Sequence, residues 1–240
     1  MIHLAGASIA GHRWTKTWKQ ELRDSRVAAT RHLVSALRQL HLPPRVFIAA
    51  SAIGFYGSRG DEELTESSSP GTDFLAQLTR DWEAESARAA EFGARVVTLR
   101  FGLILASKGG ALPLMALPFR LGIGGRVGSG RQWMSWITLE DVVGIIRYAL
   151  NTNPFNGPAN TVAPFSVRNS EFTAVLAGVL HRPAIFPAPA FALRLALGEM
   201  ADVLLLASQR VFPKRLEEMG YPFAHPQLEP AMVSVFSKSR

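Results

Sequence analysis

Met1-Ile2-His3-Leu4-Ala5-Gly6 decides how this chain is read. The stretch has the character of a buried strand running out into a loop. A buried parallel strand takes neighbours on both sides, so it is not the natural first element of a domain. Downstream, strand-like and helix-like segments alternate as they do in a doubly wound α/β fold. Such folds usually carry a glycine-rich phosphate turn after their first strand. No glycine-rich turn in that strand–turn–helix context lies on either side of His3. The expectation is the later part of a nucleotide-binding protein whose opening is missing.

Outward from His3, Thr15 or Thr17 caps a long helix reaching about Leu40, with Leu22, Ala29, Leu33, Leu37 and Leu40 at helical spacing. Pro43-Pro44 ends it. Val46-Phe47-Ile48-Ala49-Ala50 and the segment from Arg95 to Arg100 read as central parallel strands, and Asp73 opens a helix that Gly93 closes. Between Gly102 and Gly130 the chain is rich in glycine, with one helical piece around Pro113 to Arg120. A short strand from Gln132 to Ile137 and a helix from Leu139 to Asn151, capped by Thr138, follow. Ala159 to Val162 reads as another strand. Asn169 or Ser170 caps a helix to His181. Beyond Pro183 the chain is proline-punctuated and helical, through Phe191 to Ala207 and Lys214 to Gly220. The division expected is residues 1–182 as a partial nucleotide-binding domain and 183–240 as a small C-terminal helical lobe.

The 240 residues are 48% hydrophobic, enough for a large core, and contain no cysteine, which excludes disulfides and thiolate metal sites. No signal peptide and no bilayer-spanning run is present, so the sequence reads as soluble and cytoplasmic. The net charge of +7 invites a nucleic-acid reading, but Arg23, Arg26, Arg31 and Arg38 are spread along one amphipathic helix, as on a solvated face. The histidines show no metal-ligand spacing, and no metal is expected.

Three motifs end successive strands on the same side. Leu4, Ala5 and Gly6 allow a ligand close to the backbone. Ser51 to Gly57 places a hydroxyl toward the crevice where open sheets bind ligands; Tyr56 either donates a proton or packs. Arg100, among apolar neighbours, requires a partner, either a protein carboxylate or a ligand phosphate. Further on, the glycine loop before Arg131, Gln132 and Trp133 either embraces an anion or forms a mobile lid.

Taken together, His3 to Gly6, Trp14 to Arg26, Ser51 to Gly57, Asp81-Trp82-Glu83, Arg100-Phe101-Gly102 and above all Gly128 to Ile137 resemble the atypical, epimerase-like 39U branch of the short-chain dehydrogenase/reductases. The resemblance implies a Rossmann-type doubly wound parallel sheet, here lacking its first strands, with a small and mainly helical C-terminal lobe. It implies NADP(H) as cofactor and a small, nucleotide-sugar-like substrate. Leu4, Ala5, Gly6, Glu21, Arg26 and Ile104 would line the cofactor. Arg131, Gln132 and Trp133 would meet the substrate.

Two departures carry consequences. Family members begin with a strand, a Gly-x-x-Gly-x-x-Gly turn and further strand–helix units. That is about fifty to sixty residues by ordinary element lengths. The reading is therefore an N-terminally truncated chain with weak or absent cofactor binding. Secondly, the Tyr-x-x-x-Lys pair of reductases and epimerases falls on Phe74-Leu75-Ala76-Gln77-Leu78, which can neither titrate nor carry charge. Ser51 and Tyr56 are left as the candidate catalytic residues. The alternative is a non-enzymatic NADP(H) sensor or interaction module.

Overall fold

Apolar residues on both faces of β2 (Val46–Ala52) and β4 (Arg95–Phe101) fix the centre of the molecule, and the computed structural model describes residues 1–237 around them. With β1 (Ile2–His3) and β8 (Gly157–Thr161) they form a four-stranded parallel sheet in the order β1-β2-β4-β8. Phe47 and Ala49 pack on one face against Val34, Ala89 and Ala94. Ile48, Val97 and Leu99 pack on the other against Val142, Ile145, Ile146 and Ala149 of α5 (Leu139–Asn151). Helices on both faces of a parallel sheet are the doubly wound arrangement.

The long first helix is present but not uniform. Thr15, not Thr17, caps it, accepting from the Trp18 amide at 3.1 Å. The helix runs as α1 (Lys16–Arg23), a π turn over Asp24–Ala28, and α2 (Ala29–Arg38). Single π turns recur at functional sites, and this one contains Arg26. Asp73 caps α3 (Phe74–Ala87) through the Ala76 amide at 2.9 Å. A 3₁₀ turn then runs to Gly93, whose φ of 83° is the left-handed close expected of a glycine there. The basic row of the first helix faces acids: Arg23 pairs with Asp81, Arg31 with Glu85 at 2.7 Å and Arg38 with Glu91 at 3.2 Å.

Short pieces complete the middle of the chain: β3 (Glu63–Leu64), β5 (Leu103–Leu105), α4 (Leu112–Arg120), β6 (Trp133–Met134), β7 (Trp136–Thr138) and β9 (Val167–Arg168). The strand expected from Gln132 to Ile137 is thus two, pairing with β9 and β5 respectively. Thr138 caps α5, as expected. Neither Asn169 nor Ser170 caps α6 (Asn169–Leu180); Arg168 holds the cap position, because the Asn169 side chain instead accepts from the Val127 amide at 2.8 Å.

The C-terminal part contains α7 (Ala190–Leu197), β10 (Arg210–Val211), α8 (Lys214–Glu218) and α9 (Leu228–Ser237). Gly198, at φ 62°, stops α7 short of the helix expected to Ala207. A π turn over Ala201–Leu205 replaces its second half. The strand β10 pairs with β3, so this part is sewn into the body by a parallel bridge from Arg210 to Glu63. Among the described residues no helix is long and apolar enough to cross a membrane. None of their His, Asp and Glu side chains group to hold a metal.

One edge of the sheet is exposed. β1 pairs only with β2, and Met1, Ile2 and Leu4 are 43%, 42% and 50% accessible. An unpaired apolar edge is a template for strand addition. The 240-residue chain is expected to self-associate at micromolar concentration, and Ile2→Lys to shift it toward monomer. A single monomeric boundary for the unmodified chain in sedimentation velocity would refute this.

Candidate crevice and the polar row beneath it

Parallel register brings one polar residue from each of three strands into line. Ser51 of β2 lies beside Arg100 of β4, which lies beside Asn160 of β8. Side chains alternate along a strand, so Ser51 continues the Phe47–Ala49 face toward α3. There it donates to Glu83 Oε1 at 2.6 Å. Glu83 takes the Arg100 guanidinium on both oxygens, at 2.8 Å each. Arg100 also donates to the Tyr56 hydroxyl at 2.9 Å, and that hydroxyl donates to Asn160 Oδ1 at 2.7 Å. The Phe55 ring lies 3.5 Å beneath the guanidinium.

This network answers what Arg100 requires: its partner is a protein carboxylate. Burial alone would lower the Arg100 pKa, but the Glu83 contacts override it and hold the pKa up. Burial pushes the Tyr56 phenol up, against the pull of Arg100. Tyr56 is fully enclosed and Ser51 only 3% accessible. Both hydroxyls are thus turned inward and bonded to protein: Ser51 does not point to the crevice in this arrangement, and of the two alternatives for Tyr56 the packed one describes it. Ala52, next on β2, alternates to the opposite face and brings no polar group.

The first motif behaves differently. Leu4, Ala5 and Gly6 are exposed at the carboxyl end of β1. A Cβ on Gly6 would lie 3.0 Å from the Arg26 guanidinium carbon. Arg26 is 9% accessible, donates to the Ala7 carbonyl at 2.9 Å and the Leu22 carbonyl at 3.3 Å, and sits 5.4 Å over Trp82. No carboxylate pairs with it among the described residues, and burial lowers its pKa. Glu21 lies nearby on α1, exposed. Ile104 does not join this group, because its side chain packs against the α5 cluster.

At the head of α3, Phe74 meets the Trp14 ring edge to face, and Trp18, Ala7, Ile9 and, from the C-terminal part, Val203 and Leu204 pack against the same core cluster. The Trp18 indole nitrogen is buried without a partner, a state that calls for explanation in a native fold.

The glycine loop does a third thing. Gln132 is 7% accessible and donates to the Val127 carbonyl at 3.0 Å and the Leu205 carbonyl at 3.1 Å. Its amide thus ties the loop to the C-terminal part, while the residue also lines the cleft beside Arg131. The Trp133 indole donates to Asp61 at 3.0 Å, with Arg168 at 4.0 Å and Arg210 at 4.7 Å over its ring. Hydrogen bonds from Arg168 and Trp133 hold the Asp61 carboxyl below its usual range. Arg131 is exposed at the mouth of the adjoining cleft of about 600 Å³, with Arg168, Ser170 and Ser208.

Two residues escaped sequence reasoning. Glu83 follows Trp82 on the inward side of α3, where Thr79 and Ser86 are also buried; an arginine in a central strand is the signal that such a carboxylate must exist. Lys19 gave no signal, since its role depends on a contact 180 residues away with Glu199.

A doubly wound parallel sheet with a C-terminal part joined to it through β10 and β3 defines the class. The chain matches the NAD dependent epimerase/dehydratase family over residues 1–162 and a domain of unknown function, DUF1731, over residues 188–235. It is 39% identical to the mouse epimerase family protein SDR39U1, covering 98% of this chain and 81% of that one. It is 42% identical to the Bacillus subtilis epimerase family protein YfhF, covering 96% and 76%. The crystal structure of human SDR39U1 (isoform 2) with NADPH superposes at a TM-score of 0.94, with 34% identity over 98% of this chain and 81% of that one. The chain belongs to the NAD dependent epimerase/dehydratase family, in its epimerase-like 39U branch.

Proposed function

We infer that this protein binds NADP(H) at the carboxyl ends of β1 and β2 and acts by oxidoreduction or epimerisation on a small substrate. The observation that carries the reading is Arg26. A buried guanidinium without a carboxylate among the described residues, set against Gly6 at the exposed end of β1, fits a phosphate-bearing partner. The human relative's NADPH is consistent with this. When bound, the cofactor supplies or removes a hydride. The backbone of Leu4, Ala5 and Gly6 lines it, Arg26 meets its phosphates, and Glu21 meets its ribose hydroxyls. Residues 1–182 hold the cofactor, and 183–240 close over the crevice. Arg131 and Trp133, beside Arg168, meet an anionic substrate group such as the diphosphate of a nucleotide sugar.

Arg26→Ala should weaken NADPH binding by about 1.5–3 kcal/mol, the value of a hydrogen bond to a charged group. Calorimetry with equal affinities for both proteins would remove Arg26 from the site. If no NADPH binds to either, the reading itself falls.

A second reading, a sensor that binds NADP(H) without turnover, is favoured by one observation: Ser51 and Tyr56 serve the buried network, and Phe74 and Leu78 stand where a proton-transfer pair would.

A further inference from the structure

The crevice wall on α3 is apolar where proton transfer would be needed. Phe74 stands at its head, and Leu78, one turn on, is 1% accessible. The charge comes from the facing wall. Lys19 of α1 holds its ammonium 4.9 Å from the centre of the Phe74 ring and 5.8 Å from that of Trp14. Those two rings meet edge to face at 5.4 Å. The ammonium pairs with Glu199 Oε2 at 2.5 Å, from the segment that also sends Val203 and Leu204 onto this cluster. An ammonium carries three donors. Glu199 engages one, and an aromatic face is a weak acceptor, so donors remain for a ligand oxygen beside Phe74. The Lys19 side chain is 26% accessible, partly desolvated yet reachable.

We propose that Lys19 is the catalytic cation of this crevice, donating to the carbonyl oxygen of a small aldehyde or ketone seated against Phe74, with Glu199 as its positioning residue. The proposal rests on the NADP(H)-linked reading above. As the carbonyl carbon accepts a hydride from the reduced nicotinamide, the C=O π pair moves onto oxygen. That oxygen takes one proton from the Lys19 ammonium. The amine left behind is reprotonated from water beside the Glu199 carboxylate. The net change is one hydride and one proton added across the carbonyl, giving an alcohol and the oxidised cofactor.

The test uses the full chain with NADPH and phenanthrenequinone, an activated dicarbonyl. NADPH affinity is read separately from nicotinamide fluorescence, and quinone binding from quenching of tryptophan emission in the presence of the oxidised cofactor. Lys19→Met should lower kcat by about 100-fold or more, with KM, both binding readouts and urea stability nearly unchanged. Lys19→Arg, which keeps a donor and a charge, should restore part of the loss. Glu199→Gln should lower kcat by about tenfold without moving NADPH affinity. Turnover by Lys19→Met within about threefold of the unmodified chain overturns the proposal. So does an unmodified chain that binds NADPH and quinone without turnover, which favours the sensor. Failure to bind NADPH at all removes the cofactor reading and this proposal with it, and is distinguished by the fluorescence alone.

Discussion

Glu83→Ala is expected to destabilise the protein by about 3–5 kcal/mol, the cost of removing one partner from a buried ion pair. The Arg100 side chain is 4% accessible and that of Glu83 15%, so water cannot replace the lost carboxylate well. Ser51 would lose its acceptor at the same time, and Arg100 would keep only the Tyr56 hydroxyl. Glu83→Gln, which retains an acceptor oxygen of nearly the same shape, should cost less than the alanine. Tyr56→Phe should cost about 1–3 kcal/mol, because it leaves buried polar groups on Arg100 and Asn160 unsatisfied. Urea unfolding at neutral pH measures all three. A loss below about 1 kcal/mol for Glu83→Ala would mean that the pair is solvated and not a tie across the sheet.

How far the sequence could be read follows from the range of each interaction. Asp73, Thr138 and Gly93 act on amides and carbonyls a few residues away, and each ends or begins a helix where its chemistry says it should. The parallel sheet is legible because Val46 to Ala50, and Val96, Val97 and Leu99, put apolar residues on both faces. Arg100 announces a partner, and α3 supplies it in Glu83. Ser51 misled because its direction depends on strand parity, and a shift of one residue exchanges the two faces of a strand. Gln132 shows another limit: its bond to Leu205 joins segments 73 residues apart, which no local pattern displays. The Lys19–Glu199 contact was invisible for the same reason. Arg26 departs from the solvated face that the spacing of Arg23, Arg31 and Arg38 suggests: the π turn carries it inward, where it is buried with no carboxylate among the described residues.

Leu78→Lys is expected to cost about 3 kcal/mol or more, because it places an ammonium without a partner in an apolar interior. The substitution would rebuild half of the pair that the family's reductases use, and sequence comparison alone recommends it together with Phe74→Tyr. The packing argues against it. Leu78 is 1% accessible among Leu22, Val27, Ala50, Leu75 and Trp82. The nearby charge is of the wrong sign, since Arg26 already sits 5.4 Å over the Trp82 ring. Leu78→Met, similar in volume and free of charge, should cost less than about 1.5 kcal/mol. Phe74→Tyr alone should be tolerated, its hydroxyl reaching toward the Lys19 ammonium, which lies 4.9 Å from the ring centre. Urea unfolding of the three variants separates the cases. If Leu78→Lys is as stable as Leu78→Met, the wall at α3 is open to water. The missing lysine is then a loss that the fold could reverse. If it unfolds as expected, the wall is closed to charge from α3, and any cation at the reacting oxygen must come from the facing helix, where Lys19 stands.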